Sequence, residues 1–90
     1  MNIVERPAFK KSTKKLHKNQ RRDLEMAVVD IAQNPEIGQL KKGDLAGIRV
    51  HKFKMAGQLM LLAYSWENNT ITLTLIGLGS HENFYRDLKR

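Results

Sequence analysis

The chain is predicted to be an α+β protein in the order β-α-α-β-β-β-α, with an antiparallel sheet and a helical hairpin packed on one face. Apolar residues recur at helical spacing in the first third of the 90 residues, and in the second half they alternate with polar residues or form short runs. Segments rich in glycine or asparagine separate these runs, as the turns of hairpins require. We expect residues 1–90 to form a single domain.

The first three elements are a strand and two helices. Asn2 to Glu5 is predicted as a short opening strand, and Pro7 suits the first turn of a helix. Asn19 is the expected N-cap of a second helix, which ends near Asn34 because Pro35 disfavours helical geometry in the residue before it. An apolar stripe predicts that this helix packs on the sheet: Leu24, Ala27, Val28 and Ile31.

Three strands and a final helix are predicted after a loop from Pro35 to Gly47. The strand from Ile48 to Lys54 mixes apolar and basic residues. Gln58 to Trp66 is almost continuously apolar, as expected for a central strand. Thr70 to Ile76 alternates threonine with isoleucine or leucine, which predicts one buried and one open face. A short helix from Glu82 to Lys89 is expected to end the chain.

The net charge of +7 is concentrated at the start of the chain. Residues 1–22 contain eight basic residues and one acid, whereas basic and acidic residues balance each other from Asp23 onward. A field of this sign attracts polyanions, so nucleic acid or an acidic protein is the expected partner, with a solubilising surface as the alternative. Four cations of the hairpin are candidate contacts to RNA phosphates: Lys10, Lys14, Lys18 and Arg21.

Several classes of protein are not supported by the composition. The absence of cysteine excludes disulfides and cysteine-bound zinc, and a reducing cytoplasm is the expected location. The longest apolar run, Leu59 to Tyr64, is too short to span a bilayer, so no membrane partner is predicted. Asp44 and Glu82 are isolated acids near the candidate residues, and the chain has no phosphate-binding glycine loop. We therefore predict neither a metal site nor a cofactor.

The side chains best suited to bind or cleave a phosphate lie close together after the last predicted strand. His81, Tyr85 and Arg86 lie within six residues, and His81 and Tyr85 share a face if the segment is helical. Imidazole transfers protons near neutral pH, guanidinium binds phosphate bidentately, and phenol hydrogen-bonds phosphate or stacks on a base. This cluster predicts a site for RNA phosphate. A surface or capping histidine and a core tyrosine are the alternatives.

The strand from Ile48 to Lys54 adds four candidates: Arg49, His51, Lys52 and Lys54. Alternation places Arg49 and His51 on the face opposite Lys52. It also places Phe53 beside His51, and we expect a bulge between His51 and Phe53 to resolve this conflict. The pattern leaves open which of the four residues face a concave surface and which face solvent.

Over nearly its whole length the chain resembles the RelE/ParE superfamily of toxins from bacterial type II toxin–antitoxin modules. The resemblance rests on size, the basic helical hairpin, the entry Gly47-Ile48-Arg49-Val50-His51 into the sheet, and the apolar strand from Leu59 to Tyr64. Gly79-Ser80-His81 followed by Tyr85 is similar to the C-terminal motif of the YafQ branch. Residues 81–89 are also similar to the ending of many ParE-like members.

The resemblance implies a metal-independent endoribonuclease that cuts messenger RNA on the ribosome. It implies that His81 is the general acid or base and that Tyr85 positions the RNA. The strand-borne cations of the family, which stabilise charge on the phosphate, correspond to Arg49, Lys52 and Lys54. A cognate antitoxin, the ribosome and mRNA are the implied partners, and operator DNA is reached only through the antitoxin. RNA contacts are also expected from His51, Arg86 and the hairpin cations.

Two alternatives stay open within the same superfamily. RelE-type enzymes carry an arginine just after the hairpin glycine, where this chain has Gln58 and Leu59 after Gly57. YafQ-type enzymes have a histidine in the loop before the second strand, where this chain has Lys42-Gly43-Asp44-Leu45. The first alternative is a ParE-like inhibitor that binds DNA gyrase without catalysis. The second is an inactive toxin that only binds its antitoxin.

Overall fold

The computed structural model describes residues 1–80 and 84–88. The α+β prediction is confirmed, and a two-residue strand and a single 3-10 turn, Gly43–Leu45, lie within the predicted loop. None of the described helices is long and apolar enough to cross a membrane. The elements, in chain order, are β1 (Asn2–Glu5), α1 (Pro7–Thr13), α2 (Lys18–Gln33), β2 (Gln39–Leu40), β3 (Arg49–Met55), β4 (Gln58–Glu67), β5 (Thr72–Ser80) and α3 (Phe84–Leu88).

The strands form one sheet in the order β1-β5-β4-β3-β2. Neighbours are antiparallel except for β1 and β5, which pair in parallel from Asn2 opposite Thr72 to Glu5 opposite Leu75. The sheet is therefore mixed rather than wholly antiparallel as predicted. The reason is topological: the hairpin carries the chain from β1 to the far edge, and the alternating strands then return it to β1 in the same direction.

The main core lies between the helical hairpin and one face of the sheet. Phe9 of α1 and Ile31 of α2 pack there against Leu62 and Tyr64 of β4. The predicted stripe of α2 is confirmed, because three of its members are buried and Val28 is half-buried against the same cluster. Each large apolar side chain buried in this way contributes about 1.5–3 kcal/mol.

The opposite face of the sheet carries a smaller core under α3. Val50, Leu61 and Ala63 are buried there together with Phe84. The β5 strand contributes glycine rather than a large side chain, and a Cβ atom built at Gly79 would lie 3.3 Å from Cδ1 of Phe84. That distance is tighter than ordinary van der Waals contact, so glycine allows α3 to lie close against the strand.

The bulge of the sheet is in β5, and the predicted bulge in β3 is wrong. The β3–β4 register runs without a shift from Arg49 opposite Tyr64 to Met55 opposite Gln58. The β4–β5 register shifts by one residue between Ala63, which lies opposite Gly77, and Tyr64, which lies opposite Leu75, so Ile76 is the extra residue. The expected conflict in β3 does not arise because the strand buries residues on both faces, with Val50 under α3 and Met55 under the hairpin.

Candidate functional site

The basic residues of β3 are divided between the two faces of the sheet. Lys52 and Lys54 alternate with Val50 and therefore lie on the face that carries α3, where both are exposed. Arg49 and His51 lie on the hairpin face with Phe53. The structure thus brings Lys52 and Lys54 together, with Cα atoms about 7 Å apart along the strand. It does not bring His51 or Arg49 to them.

Arg49 fastens the loop that follows α2. Its Nη1 atom donates to the carbonyl oxygens of Glu36 and Gly38, at 3.2 and 2.9 Å. The neighbouring Tyr64 hydroxyl donates to the Pro35 carbonyl at 2.7 Å and accepts from the Gly38 N–H at 2.9 Å. Burial raises the pKa of Tyr64, while the Gly38 N–H and the Arg49 charge act in the opposite direction. Arg49 is therefore committed in part to holding the fold.

His51 lies half-buried between β3 and α2. Its ring stacks on Phe53 with centroids 6.1 Å apart and planes at 7°. Burial lowers the pKa of His51 below its usual value of 6.5, and the Asp30 carboxylate of α2 opposes this effect with a smaller one. The imidazole is therefore mainly neutral near pH 7. In this position it supports the helix–sheet contact and does not face the surface that carries Lys52.

Tyr85 lies on α3, on the same side of the sheet as Lys52 and Lys54. Its half-buried ring packs against the smaller core and meets Phe84 edge-on, with centroids 5.2 Å apart and planes at 86°. The Nζ atom of Lys41 lies 5.1 Å from the centroid of the Tyr85 ring, which is the geometry of a cation–π contact. Lys41 also donates to Oε1 of Gln39 at 3.1 Å.

Lys41 is the site residue that the sequence analysis missed. It directly follows β2, and its backbone N–H donates to the Ile48 carbonyl at 2.9 Å, so the sheet edge fixes its position. A strand of two residues is too short to show an alternation of apolar and polar residues, and the glycines around β2 predict a loop there. The basic pair Lys41-Lys42 directly after Leu40 was the available signal. We call the surface formed by Lys41, Lys52, Lys54 and Tyr85 the basic face.

The hairpin cations lie on the other side of the sheet from the basic face. Lys10, Lys14 and Lys18 are exposed on α1, at its C-cap and at the start of α2. Arg21 is also exposed, and its Nη2 atom donates to the Thr13 carbonyl at 3.0 Å, which ties the two helices together. The predicted RNA contacts therefore form two separate surfaces rather than one.

Two further residues of the predicted site, Arg86 and His81, belong to the C-terminal segment. Arg86 is exposed on α3. His81, the expected proton-transfer residue, lies outside the described residues, as does Glu82. Within residues 1–80 and 84–88, no group of three histidine, aspartate or glutamate side chains is arranged to hold a metal ion.

Comparisons with known proteins identify relatives that match most of the chain. The sequence model for the ParE-like toxin of type II bacterial toxin–antitoxin systems matches residues 3–89. Among curated proteins, no sequence matches the chain.

Solved structures share the fold at low sequence identity. A chain of the intact Escherichia coli RelBE toxin–antitoxin complex is 20% identical, with a TM-score of 0.72 over 90% of this chain and 96% of that one. A chain of a Mycobacterium tuberculosis toxin–antitoxin complex is 16% identical, with a TM-score of 0.68 and coverage of 89% and 96%. A conserved hypothetical protein of Helicobacter pylori is 23% identical, with a TM-score of 0.62 and coverage of 90% and 94%.

Proposed function

Because the chain belongs to the ParE-like toxins of type II bacterial toxin–antitoxin systems, we propose that it is an endoribonuclease that cleaves mRNA on the ribosome. The observation that supports this proposal most is the basic face, where two exposed lysines of β3 share a surface with the Tyr85 ring. Ammonium groups and an aromatic ring are the groups that hold an RNA backbone and one of its bases.

The proposed reaction needs no metal ion. The RNA 2′-hydroxyl loses its proton to a general base and attacks the neighbouring phosphorus, and the 5′-oxygen leaves with a proton from a general acid. The products are a 2′,3′-cyclic phosphate and a 5′-hydroxyl. Lys52 and Lys54 stabilise the negative charge that develops on the phosphate oxygens. Tyr85 positions the nucleotide, Lys41 holds the Tyr85 ring, and His81 is the proposed proton-transfer group.

A cognate antitoxin is the proposed protein partner. The structural relatives from Escherichia coli and Mycobacterium tuberculosis come from toxin–antitoxin complexes, which supports the same partnership here. Operator DNA is proposed to be reached only through the antitoxin, and the proposed location is the cytoplasm, where ribosomes act.

A second candidate function is inhibition of DNA gyrase without catalysis. Leu59 supports it, because this residue lies opposite Lys54 in the β3–β4 register and is 44% exposed. An exposed leucine beside the basic face suits a protein partner better than an RNA backbone. An inactive toxin that only binds its antitoxin is the third possibility.

The decisive experiment expresses the chain in bacteria with and without the antitoxin and maps mRNA 5′ ends. Wild type should produce new ends within coding sequences, and Lys52→Ala with Lys54→Ala should remove them. Lys11→Ala with Lys15→Ala removes the same charge from the hairpin and should leave the cut positions unchanged. Intact mRNA with DNA damage signalling would establish gyrase inhibition instead. Normal growth with well-folded wild type would indicate the inactive toxin.

A further inference from the structure

Half of β5 has an open outer edge. The strand runs from Thr72 to Ser80, and β1 pairs with it only as far as Leu75. The last hydrogen bond of this pair runs from the Arg6 N–H to the Leu75 carbonyl, at 2.9 Å. Beyond it, residues 77–80 pair with β4 on one side, Ile76 is the extra residue of the bulge, and no strand of the described chain pairs with the other side of this segment. An open edge of this kind is a template for another strand.

The open edge forms the floor of a pocket of about 520 Å³. One wall is α1, with Pro7, Ala8 and Ser12, and the other wall is α3, with Phe84 and Leu88. Because α1 and α3 lie on opposite faces of the sheet, they leave a slot in the plane of the sheet between them. A slot of this shape admits one extended chain, which can hydrogen-bond to the edge and place alternate side chains against each wall.

The charge of the slot indicates which chain would enter it. Arg6 is the only charged residue among its described lining, and this guanidinium forms no hydrogen bond or ion pair with another described side chain. The adjoining hairpin carries the excess positive charge of the protein. An extended segment with an acidic side chain near Arg6 and apolar side chains against Phe84 and Leu88 would match both walls.

We propose that residues 76–80 are the docking site of an extended acidic segment of the antitoxin, which continues the sheet beyond the end of β1. The inference rests on the proposed partnership with an antitoxin and adds the place and conformation of the contact. Glycine at positions 77 and 79 shapes the α3 wall of the slot, because a Cβ atom there would lie 3.4 Å from Cδ1 of Leu88 and 3.3 Å from Cδ1 of Phe84, so only glycine lets these apolar side chains lie this close to the edge.

The test uses the full chain, labelled for NMR, alone and in complex with its antitoxin. In the complex we expect nuclear Overhauser contacts between backbone protons of residues 76–80 and backbone protons of the antitoxin. Those amides of this segment that point away from β4 should exchange with solvent more slowly than in the free chain.

Three variants examine the slot itself. Ala8→Trp fills the slot from the α1 wall and should raise the Kd by roughly tenfold or more, because strand hydrogen bonds are lost. Ala8→Glu adds less bulk than tryptophan, repels an acidic strand and should also weaken binding. Arg6→Glu should slow association several-fold, whereas Arg22→Glu, with the same charge change on α2 outside the slot, should slow it less.

The results distinguish failure of the proposed docking site from failure of the proposed partnership with an antitoxin. A tight complex with no contacts to residues 76–80, unchanged exchange there and full affinity in both Ala8 variants would overturn the docking site and leave the antitoxin as partner. Failure of the folded wild type to bind the antitoxin at any concentration would overturn the partnership and the docking site together.

Discussion

Lys41 positions Tyr85 from the end of a strand of only two residues. If the Tyr85 ring holds a nucleotide, Lys41→Gln should lower kcat/KM for mRNA cleavage about two- to fivefold, because an exposed cation–π contact is worth about 0.5–1 kcal/mol. Lys42→Gln, which removes the same charge from the adjacent exposed residue, should have a smaller effect. Equal effects of the two variants would mean that Lys41 acts only through its charge.

His81 is the best candidate for proton transfer, because His51 is stacked under α2 and His17 lies at the start of the same helix. General acid–base catalysis contributes roughly 10²–10⁴-fold, and His81→Ala should lower ribosome-dependent cleavage by about that factor. Antitoxin affinity and the melting temperature should be unchanged. Cleavage by His81→Ala at the wild-type rate would move the proton-transfer role to another group.

The lowered pKa of His51 makes the stability of the chain depend on pH. A histidine with a lower pKa in the folded than in the unfolded state binds more protons when unfolded, so stability decreases as pH falls through its usual pKa of 6.5. Between about pH 7.5 and about pH 5.5, wild type should lose more unfolding free energy than His51→Phe. Urea titrations at several pH values measure the difference, and parallel curves for the two proteins would contradict the prediction.

At the scale of elements, one tyrosine connects the end of α2 to the centre of the sheet. Tyr64→Phe removes the hydrogen bonds of the hydroxyl with Pro35 and Gly38 but keeps the ring in the core. Each polar group left buried without a partner costs about 1–3 kcal/mol, so the urea midpoint should fall clearly. An unchanged midpoint would show that water replaces the hydroxyl. A Cβ atom at Gly38 would lie 2.7 Å from the same hydroxyl, so only glycine lets the loop approach Tyr64 this closely.

The predictable part of the fold is the part that burial controls. The α2 stripe and the apolar β4 strand were readable because each buries its apolar residues at a fixed period. The direction of β1 was not readable, since all four of its residues are exposed and its pairing depends on distant strands. Alternation assigned Arg49 and His51 to the face opposite Lys52 correctly, and only the expected bulge in β3 was wrong, because a strand covered on both sides buries apolar residues on each face without a register shift.

The candidate site was only partly predictable for a similar reason. Lys52, Lys54 and Tyr85 were selected by residue type, and the face that they share became visible only when α3 was placed on the sheet. Arg49 was selected for its charge, although its Nη1 atom is bound to backbone carbonyls. A sequence shows which side chains can do chemistry, whereas their partners come from residues far along the chain.

At the scale of the whole molecule, the positive field of the hairpin should govern the rate of encounter with an acidic antitoxin. Reversing the charge of Lys10, Lys11, Lys14 and Lys15 together should slow association and flatten its dependence on salt, with less change in dissociation. Stopped-flow measurements at low and high salt separate the two rates. Unchanged association at low salt would show that the hairpin does not steer the antitoxin.

The sheet separates the hairpin cations from the basic face, and this separation has a consequence for the choice of substrate. A short RNA can contact one of these surfaces at a time, because the described fold measures 34 × 27 × 21 Å and the sheet lies between them. A ribosome could present its own RNA to the hairpin while the message meets Lys52 and Lys54. The ribosome would then hold the protein and the message in alignment. Free oligonucleotides should therefore be poor substrates, chiefly because their KM is high.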